Sequence, residues 1–183
     1  GEGDGISVDL SKPGDVERFF AAADSYLGGL DIAVINAAVP AESLADTSAE
    51  DTRYQLETNF VAYVVTAQQA ARRMTAGSDI VFIGSMSAVS RGGSSIYVAA
   101  KTGVQGFATS LRQELAERDI KVGLIEPGFT GADFQYPDFP PEKQRELIDD
   151  GRMLRAEDIA VATHFMLTQP RRTAVSLIRV EPR

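Results

Sequence analysis

The chain has 183 residues, which is the length of one domain, and its apolar fraction of 44% and charged fraction of 24% are those of an ordinary globular protein. The net charge of −8 disfavours nucleic acid and anionic membranes as partners, because both select for an excess of Lys and Arg. The sequence has no cysteine and a single histidine, His164, which excludes disulfides and thiolate sites and gives no basis for a metal site.

The first half of the chain alternates short apolar segments with amphipathic ones. Ile6–Leu10 is predicted to be a strand, and the spacing of apolar residues predicts a helix over Val16–Leu27 that two glycines end. Asp31–Asn36 is a nearly continuous apolar run, typical of a strand covered on both faces. Thr47 and Ser48, with Glu50 and Asp51 after them, mark the start of a long helix that runs to about Thr75.

The second half repeats this alternation. Its predicted elements, in chain order, are the buried strand Asp79–Gly84, the Ser/Gly-rich loop Ser85–Ser95, the helix Ile96–Arg118, the buried strand Lys121–Glu126, an aromatic-rich loop, the helices Glu142–Asp149 and Ala156–Thr168, and the strand Val175–Val180. Such alternation is typical of a parallel sheet flanked by helices. We therefore predict one α/β domain over residues 1–183, built on a doubly wound parallel sheet.

Ligands bind beyond the carboxyl ends of the strands in such a sheet, so the residues that follow the predicted strands are candidate site residues. They are small, polar or turn-forming, which suits a main chain that comes close to a ligand. These residues are Asp9, Asn36, Ala37, Ala38, Gly84, Ser85, Pro127 and Gly128.

Tyr97 and Lys101 share one face of a predicted helix, because they are four residues apart. A neighbouring cation stabilises phenolate, so we expect Lys101 to lower the pKa of Tyr97 from about 10 toward neutrality and to make it a general acid/base. Ser85 is placed at a strand end where its hydroxyl can share a substrate oxygen with the phenol, with Ser87 as a rival. The alternative interpretation is a surface pair without a chemical role.

Several stretches in family order make the chain resemble the short-chain dehydrogenase/reductase family in its classical form. Their spacing is close to the family's, with an interval from Ser85 to Tyr97 that is one residue shorter. They are Val8–Leu10, Leu30–Ala38, Asn59, Ile83–Ser85, Tyr97–Lys101 and Pro127–Thr130. The resemblance implies a Rossmann-type fold. It also implies an NAD(P)-dependent oxidoreductase that interconverts a secondary alcohol and a ketone or aldehyde by hydride transfer.

The resemblance further implies a role for each matching residue. Tyr97 exchanges a proton with the substrate oxygen, Lys101 lowers the tyrosine's pKa and binds the nicotinamide ribose, and Ser85 hydrogen-bonds the substrate oxygen. Asn59 holds a water that connects Lys101 to solvent. The residues implied to contact the cofactor are Asp9 and Leu10 at the adenine, Asn36, Ala37 and Ala38 at the adenosine ribose, and Pro127, Gly128 and Thr130 at the nicotinamide. Asp9 can instead be a plain turn residue before a helix.

The chain departs from the family pattern at its start. The family's glycine-rich pyrophosphate loop has no counterpart before Asp9, and Ala38 replaces a family glycine. In the strand order 3-2-1-4-5-6, the strand predicted at Ile6–Leu10 needs strand two as its neighbour. We therefore expect about 50 to 60 further N-terminal residues, enough for two strand–helix units. Without them Ile6–Leu10 has no partner, and the strand at Ile32–Ile35 is an exposed edge.

NADP(H) is the cofactor that we prefer over NAD(H), because Leu154–Ala160 resembles NADP-linked family members that act on 3-hydroxy acids or small carbonyls. The predicted partner is a small carbonyl or alcohol, in the cytoplasm, and family members are commonly homodimers or homotetramers. Small and apolar helix residues suit packing between subunits or against the sheet, and the two alternatives stay open. They are Ala62, Val65, Ala70 and Ala108.

A non-catalytic protein of the same fold, which senses a nucleotide or binds a partner, is the alternative function. The intact set of Ser85, Tyr97 and Lys101 argues against it, because a sensor would be free to lose those side chains. The aromatic-rich loop around Phe134 is either a substrate lid or local packing.

Overall fold

A computed structural model of the chain describes residues 3–183, so the first two residues of the predicted domain lie outside the described part. The elements, in chain order, are α1 (Pro13–Leu27), β1 (Ile32–Ile35), α2 (Ala49–Leu56), a π-helical segment (Glu57–Val61), α3 (Ala62–Arg73), β2 (Asp79–Ile83), α4 (Ser87–Ser90), α5 (Ser95–Glu114), a 3₁₀ turn (Ala116–Arg118), β3 (Lys121–Pro127), a 3₁₀ turn (Asp133–Gln135), α6 (Pro141–Asp149), α7 (Ala156–Leu167) and β4 (Leu177–Val180).

The strands form one parallel sheet in the order β1-β2-β3-β4, counted over residues 3–183. Successive side chains point to opposite faces, so Ile80 and Phe82 of β2 enter the core beneath α1, α3 and α5. Val81 and Ile83 face the other way, into a smaller core that Met166 of α7 closes. Helices therefore cover both faces, and the predicted α/β fold with a doubly wound sheet is confirmed.

The strand predicted at Ile6–Leu10 is wrong, because these residues have no strand structure. A strand needs a ladder partner, and in the described chain β1 pairs with β2 alone. Leu10 packs against the larger core instead. As expected for an edge, β1 has exposed apolar side chains on one face, with Ile32 49% and Val34 47% accessible.

The helix starts follow their capping residues. Ser48 Oγ accepts a hydrogen bond from Asp51 N at 3.0 Å and begins the helical run through α2, the π-helical segment and α3. Ser94 caps α5 in the same way, through Tyr97 N at 3.4 Å. The prediction of a loop over Ser85–Ser95 misses α4, which is a single short turn of helix.

The small residues considered for subunit contacts pack inside the chain. Ala62, Ala70 and Ala108 are at most 4% exposed, so the interpretation that they pack within the domain is confirmed for them. No helix within residues 3–183 combines the length and the apolar character that crossing a membrane requires.

At Gly123 of β3, the Met166 side chain of α7 packs directly against the sheet. A methyl group at this position would overlap the Met166 sulfur, whereas one at Gly106 of α5 would meet open space. We expect Gly123→Ala to lower the free energy of unfolding by about 1–3 kcal/mol through overpacking. Gly106→Ala should raise it by about 0.5–1 kcal/mol, because alanine stabilises a helix interior. Urea denaturation measures both, and a Gly123→Ala protein as stable as the parent would contradict this packing.

Candidate active site

A cavity of about 1070 Å³ opens beyond the carboxyl ends of β1, β2 and β3. Its walls bring together most of the residues that the sequence singled out, from three strand ends and from α5. These lining residues are Asn36, Ala37, Ala38, Gly84, Ser85, Tyr97, Lys101, Pro127, Gly128 and Thr130. These residues lie together because the carboxyl ends of parallel strands are at the same edge of the sheet.

The segment that carries Ser85 is fixed to the end of β3. Gly84 N donates to Ile125 O at 2.7 Å, and Met86 N donates to Pro127 O at 2.8 Å. A side chain at Gly84 would come within 3.0 Å of Leu124 Cδ1, so glycine permits this close approach. Ser85 Oγ accepts from Ser87 N at 3.1 Å, which leaves its own hydroxyl proton free to be donated.

Tyr97 lies in the first turn of α5, partly buried, with the Phe134 ring 5.7 Å from its own ring. Burial raises the pKa of Tyr97 to about 12, and the Ser85 hydroxyl beside it opposes that rise. The prediction that Lys101 brings this pKa toward neutrality is therefore wrong here. The physical reason is that desolvation of the phenolate dominates and that the lysine bonds elsewhere.

Lys101 is 2% exposed, and its ammonium group is bound by two neutral acceptors. Nζ donates to Tyr63 Oη at 2.9 Å and to Ile83 O at 3.2 Å, and it lies 5.6 Å from the centre of the Tyr97 ring. Burial lowers the pKa of Lys101 to about 7. The prediction that the Tyr97 and Lys101 side chains lie close together is confirmed.

Tyr63 is a buried neighbour of Lys101 that the sequence patterns did not single out. It is 1% exposed on α3, and its hydroxyl donates to Ile83 O at 3.0 Å while it accepts from Lys101. Burial raises its pKa well above the usual range. The available signal was a tyrosine one helical turn after Asn59, which places both residues on one face.

Asn59 is fully buried in the π-helical segment and binds the chain that follows β1. Its Oδ1 accepts from Val39 N and its Nδ2 donates to Val39 O, both at 2.9 Å. These two bonds hold the Asn36–Ala38 stretch against the cavity. The water-holding role of Asn59 stays a prediction.

Asp9 and Leu10 lie apart from this cavity, in the turn before α1. The Asp9 carboxylate accepts from Ser11 N at 3.1 Å and from Ser11 Oγ at 2.7 Å, and these bonds lower its pKa. This arrangement matches the alternative interpretation of Asp9 as a turn residue, and contact with adenine stays a prediction. His164 is exposed on α7 at the cavity margin. Within the described chain no His, Asp and Glu side chains cluster to hold a metal ion.

Comparison with known proteins gives a consistent picture. The family model described as short chain dehydrogenase matches residues 2–143. The chain is 32% identical over 169 residues to 3-oxoacyl-(acyl-carrier-protein) reductase from Homo sapiens, covering 90% of this chain and 71% of that protein. Carbonyl reductase family member 4 from Xenopus laevis gives the same identity and the same coverage.

Solved structures show the same likeness. A short chain dehydrogenase from Burkholderia cenocepacia, in complex with NADP, superposes with a TM-score of 0.82 at 28% identity, covering 97% of this chain and 74% of that one. A blue fluorescent protein from a metagenomic library, in complex with NADPH, gives 0.81 at 26% identity, with 96% and 73% covered.

The lowered pKa of Lys101 predicts how stability depends on pH. Between about pH 7 and the unfolded pKa near 10.5, the unfolded chain binds more protons at this lysine than the folded chain does. The free energy of unfolding contributed by Lys101 therefore rises with pH across this window. We expect Lys101→Met to flatten the rise between pH 7 and pH 9, measured by urea denaturation against the parent protein. Parallel pH dependences would contradict a lysine whose pKa burial lowers.

Proposed function

The chain belongs to the short-chain dehydrogenase/reductase family of oxidoreductases, and from that premise we propose that it is an NADP(H)-dependent carbonyl reductase that interconverts a ketone or aldehyde and the corresponding alcohol. One observation carries the proposal: Ser85, Tyr97 and Lys101 line a single cavity at the carboxyl ends of the strands. The reductase names of the relatives support carbonyl reduction as the reaction.

The cavity suits a nicotinamide cofactor. An ammonium group has three N–H donors, and two of those on Lys101 go to Tyr63 and Ile83, so one is left for a ribose hydroxyl in the cavity that Lys101 lines. The small side chains at Asn36–Ala38 leave the main chain open to a ligand. The cofactor, when bound, supplies or accepts the hydride. Two similar solved structures, one in complex with NADP and one in complex with NADPH, support NADP(H) as the cofactor.

Tyr97 and Ser85 are the groups that handle the substrate oxygen. We assign hydrogen bonds from both hydroxyls to the carbonyl oxygen, where negative charge develops during reduction. Tyr97 gives its proton to that oxygen, and the positive charge of Lys101, 5.6 Å from the centre of the Tyr97 ring, offsets only part of the cost of a buried phenolate. Burial raises the pKa of Tyr97, so the phenol is protonated at neutral pH and has a proton to give in the direction of reduction.

The walls of the cavity favour an uncharged substrate. Acidic side chains and arginines do not occur among its lining residues in the described chain. Phe134 faces the Tyr97 ring and borders the cavity, whereas Phe129 packs on Phe139 with their ring centres 4.9 Å apart. We assign Phe134 to the apolar wall beside the reacting carbonyl and Phe139 to local packing. A homodimer or homotetramer remains part of the proposal.

Tyr97→Phe tests the assignment of the proton donor. The variant keeps the ring and its contact with Phe134 but has no proton to give, so we expect carbonyl-dependent NADPH oxidation to fall by about 10²–10⁴-fold. The matched control is Tyr26→Phe, which removes an exposed hydroxyl on α1 and should leave the rate unchanged. Absorbance at the reduced-nicotinamide band, with a panel of small ketones and aldehydes, measures both. A Tyr97→Phe protein within tenfold of the parent would remove Tyr97 from the reaction.

A further inference from the structure

The ammonium group of Lys101 sits in a closed arrangement of hydrogen bonds. Tyr63 Oη donates its one proton to Ile83 O, so the lone pairs of the phenol oxygen are what faces Lys101. Lys101 Nζ donates to that oxygen and to the same Ile83 carbonyl. Each partner has one compatible role in this triangle, which makes the position of Nζ well defined.

We propose that Tyr63 is a positioning residue for Lys101: its hydroxyl, together with the Ile83 carbonyl, holds the ammonium group charged and directed at Tyr97. The catalytic consequence rests on the proposed function of Tyr97 and Lys101, whereas the positioning itself is a property of the folded chain. Tyr63 reaches the lysine from α3, 38 residues away in sequence.

The Lys101 ammonium group needs such a hydrogen-bond partner because it is buried. A lysine that is 2% exposed loses its hydration, and a buried charge without hydrogen-bond partners favours the neutral form. Two neutral oxygens supply partners without adding a negative charge that would compete with the phenolate of Tyr97. The Tyr63 ring adds a cation–π contact, with Nζ 4.4 Å from its centre.

The other titratable groups near Lys101, Tyr97 and Glu126, face different partners. Tyr97 is on the same helix, where its phenol faces Ser85. Glu126 of β3 faces α5 one turn further on, where it accepts from Gln105 Nε2 at 2.7 Å and pairs with Arg179 at 2.9 Å. That carboxylate is thus already paired by other side chains.

Tyr63→Phe tests the contribution of the Tyr63 hydroxyl group separately from that of its ring. The variant keeps the ring over Nζ and the stacking on Phe82, whose ring centre is 6.3 Å away, and it removes the acceptor oxygen. The matched control is Tyr54→Phe, which removes a hydroxyl from a tyrosine on α2 that is 45% exposed. The first measurement is the pH titration of the four lysine side chains by NMR, with ¹³C at the ε-carbon, because it needs neither cofactor nor turnover.

We expect the Lys101 midpoint to fall by about one pH unit in Tyr63→Phe, because a hydrogen bond to a charged group is lost, and to stay unchanged in Tyr54→Phe. The alkaline limb of the pH–rate profile of carbonyl reduction should shift to lower pH by the same amount. A Lys101 midpoint within about 0.2 units of the parent in Tyr63→Phe, judged against the resolution of the titration, would overturn the proposal.

These measurements distinguish a failure of the positioning role of Tyr63 from a failure of the proposed carbonyl reduction. A displaced Lys101 midpoint in a protein that reduces no carbonyl would support the positioning and contradict the proposed function. If Tyr63→Phe does not fold, 3-fluorotyrosine at position 63 takes its place, because fluorine weakens the oxygen as an acceptor and keeps the shape of the ring. The Lys101 midpoint must then fall in the same direction, and an unchanged midpoint would again overturn the proposal.

Discussion

The burial of the Lys101 ammonium group is the constraint on which the rest of the site depends. A charge this far from water must find hydrogen-bond partners, and here they are a phenol oxygen from α3 and a carbonyl from the end of β2. These partners belong to two elements distant in sequence from α5, so the lysine ties a helix, a strand and a second helix together. Tyr97 lies one helical turn before Lys101 on α5, and the same contacts leave Nζ 5.6 Å from the centre of the Tyr97 ring.

The fold prepares this arrangement through the ends of its strands. Parallel pairing places Ile83 of β2 opposite Ile125 of β3, and the main chain beyond Gly84 stays bonded to β3 as it carries Ser85 toward Tyr97. On the other side, Asn59 holds the chain after β1 by both polar atoms of its amide. Main-chain hydrogen bonds and the Asn59 side chain thus hold the segments around the cavity, and the side chains that line it project from these segments.

The sequence predicts the fold well where patterns are local. Apolar runs of strand length locate β2 and β3, and the capping pattern at Thr47–Asp51 locates the start of α2. The strand predicted at Ile6–Leu10 fails because strand structure needs a partner, which a local pattern does not report. Tyr63 was missed for a similar reason: nothing in its own segment shows that Lys101 approaches it from 38 residues away. The pKa of Tyr97 was predicted in the wrong direction because spacing along a helix carries no information on desolvation.

We propose that hydride transfer to a carbonyl carbon takes place in this cavity while Tyr97 supplies the proton to oxygen. The origin of the carbinol hydrogen tests the hydride transfer: a small ketone is reduced with NADPH carrying deuterium at both C4 positions, in ordinary water, and the alcohol is analysed by mass spectrometry and NMR. We expect one deuterium on the carbinol carbon, and no deuterium on that carbon when ordinary NADPH is used in D₂O. An alcohol whose carbinol hydrogen comes from solvent, or NADPH binding without any product across a panel of ketones and aldehydes, would contradict it.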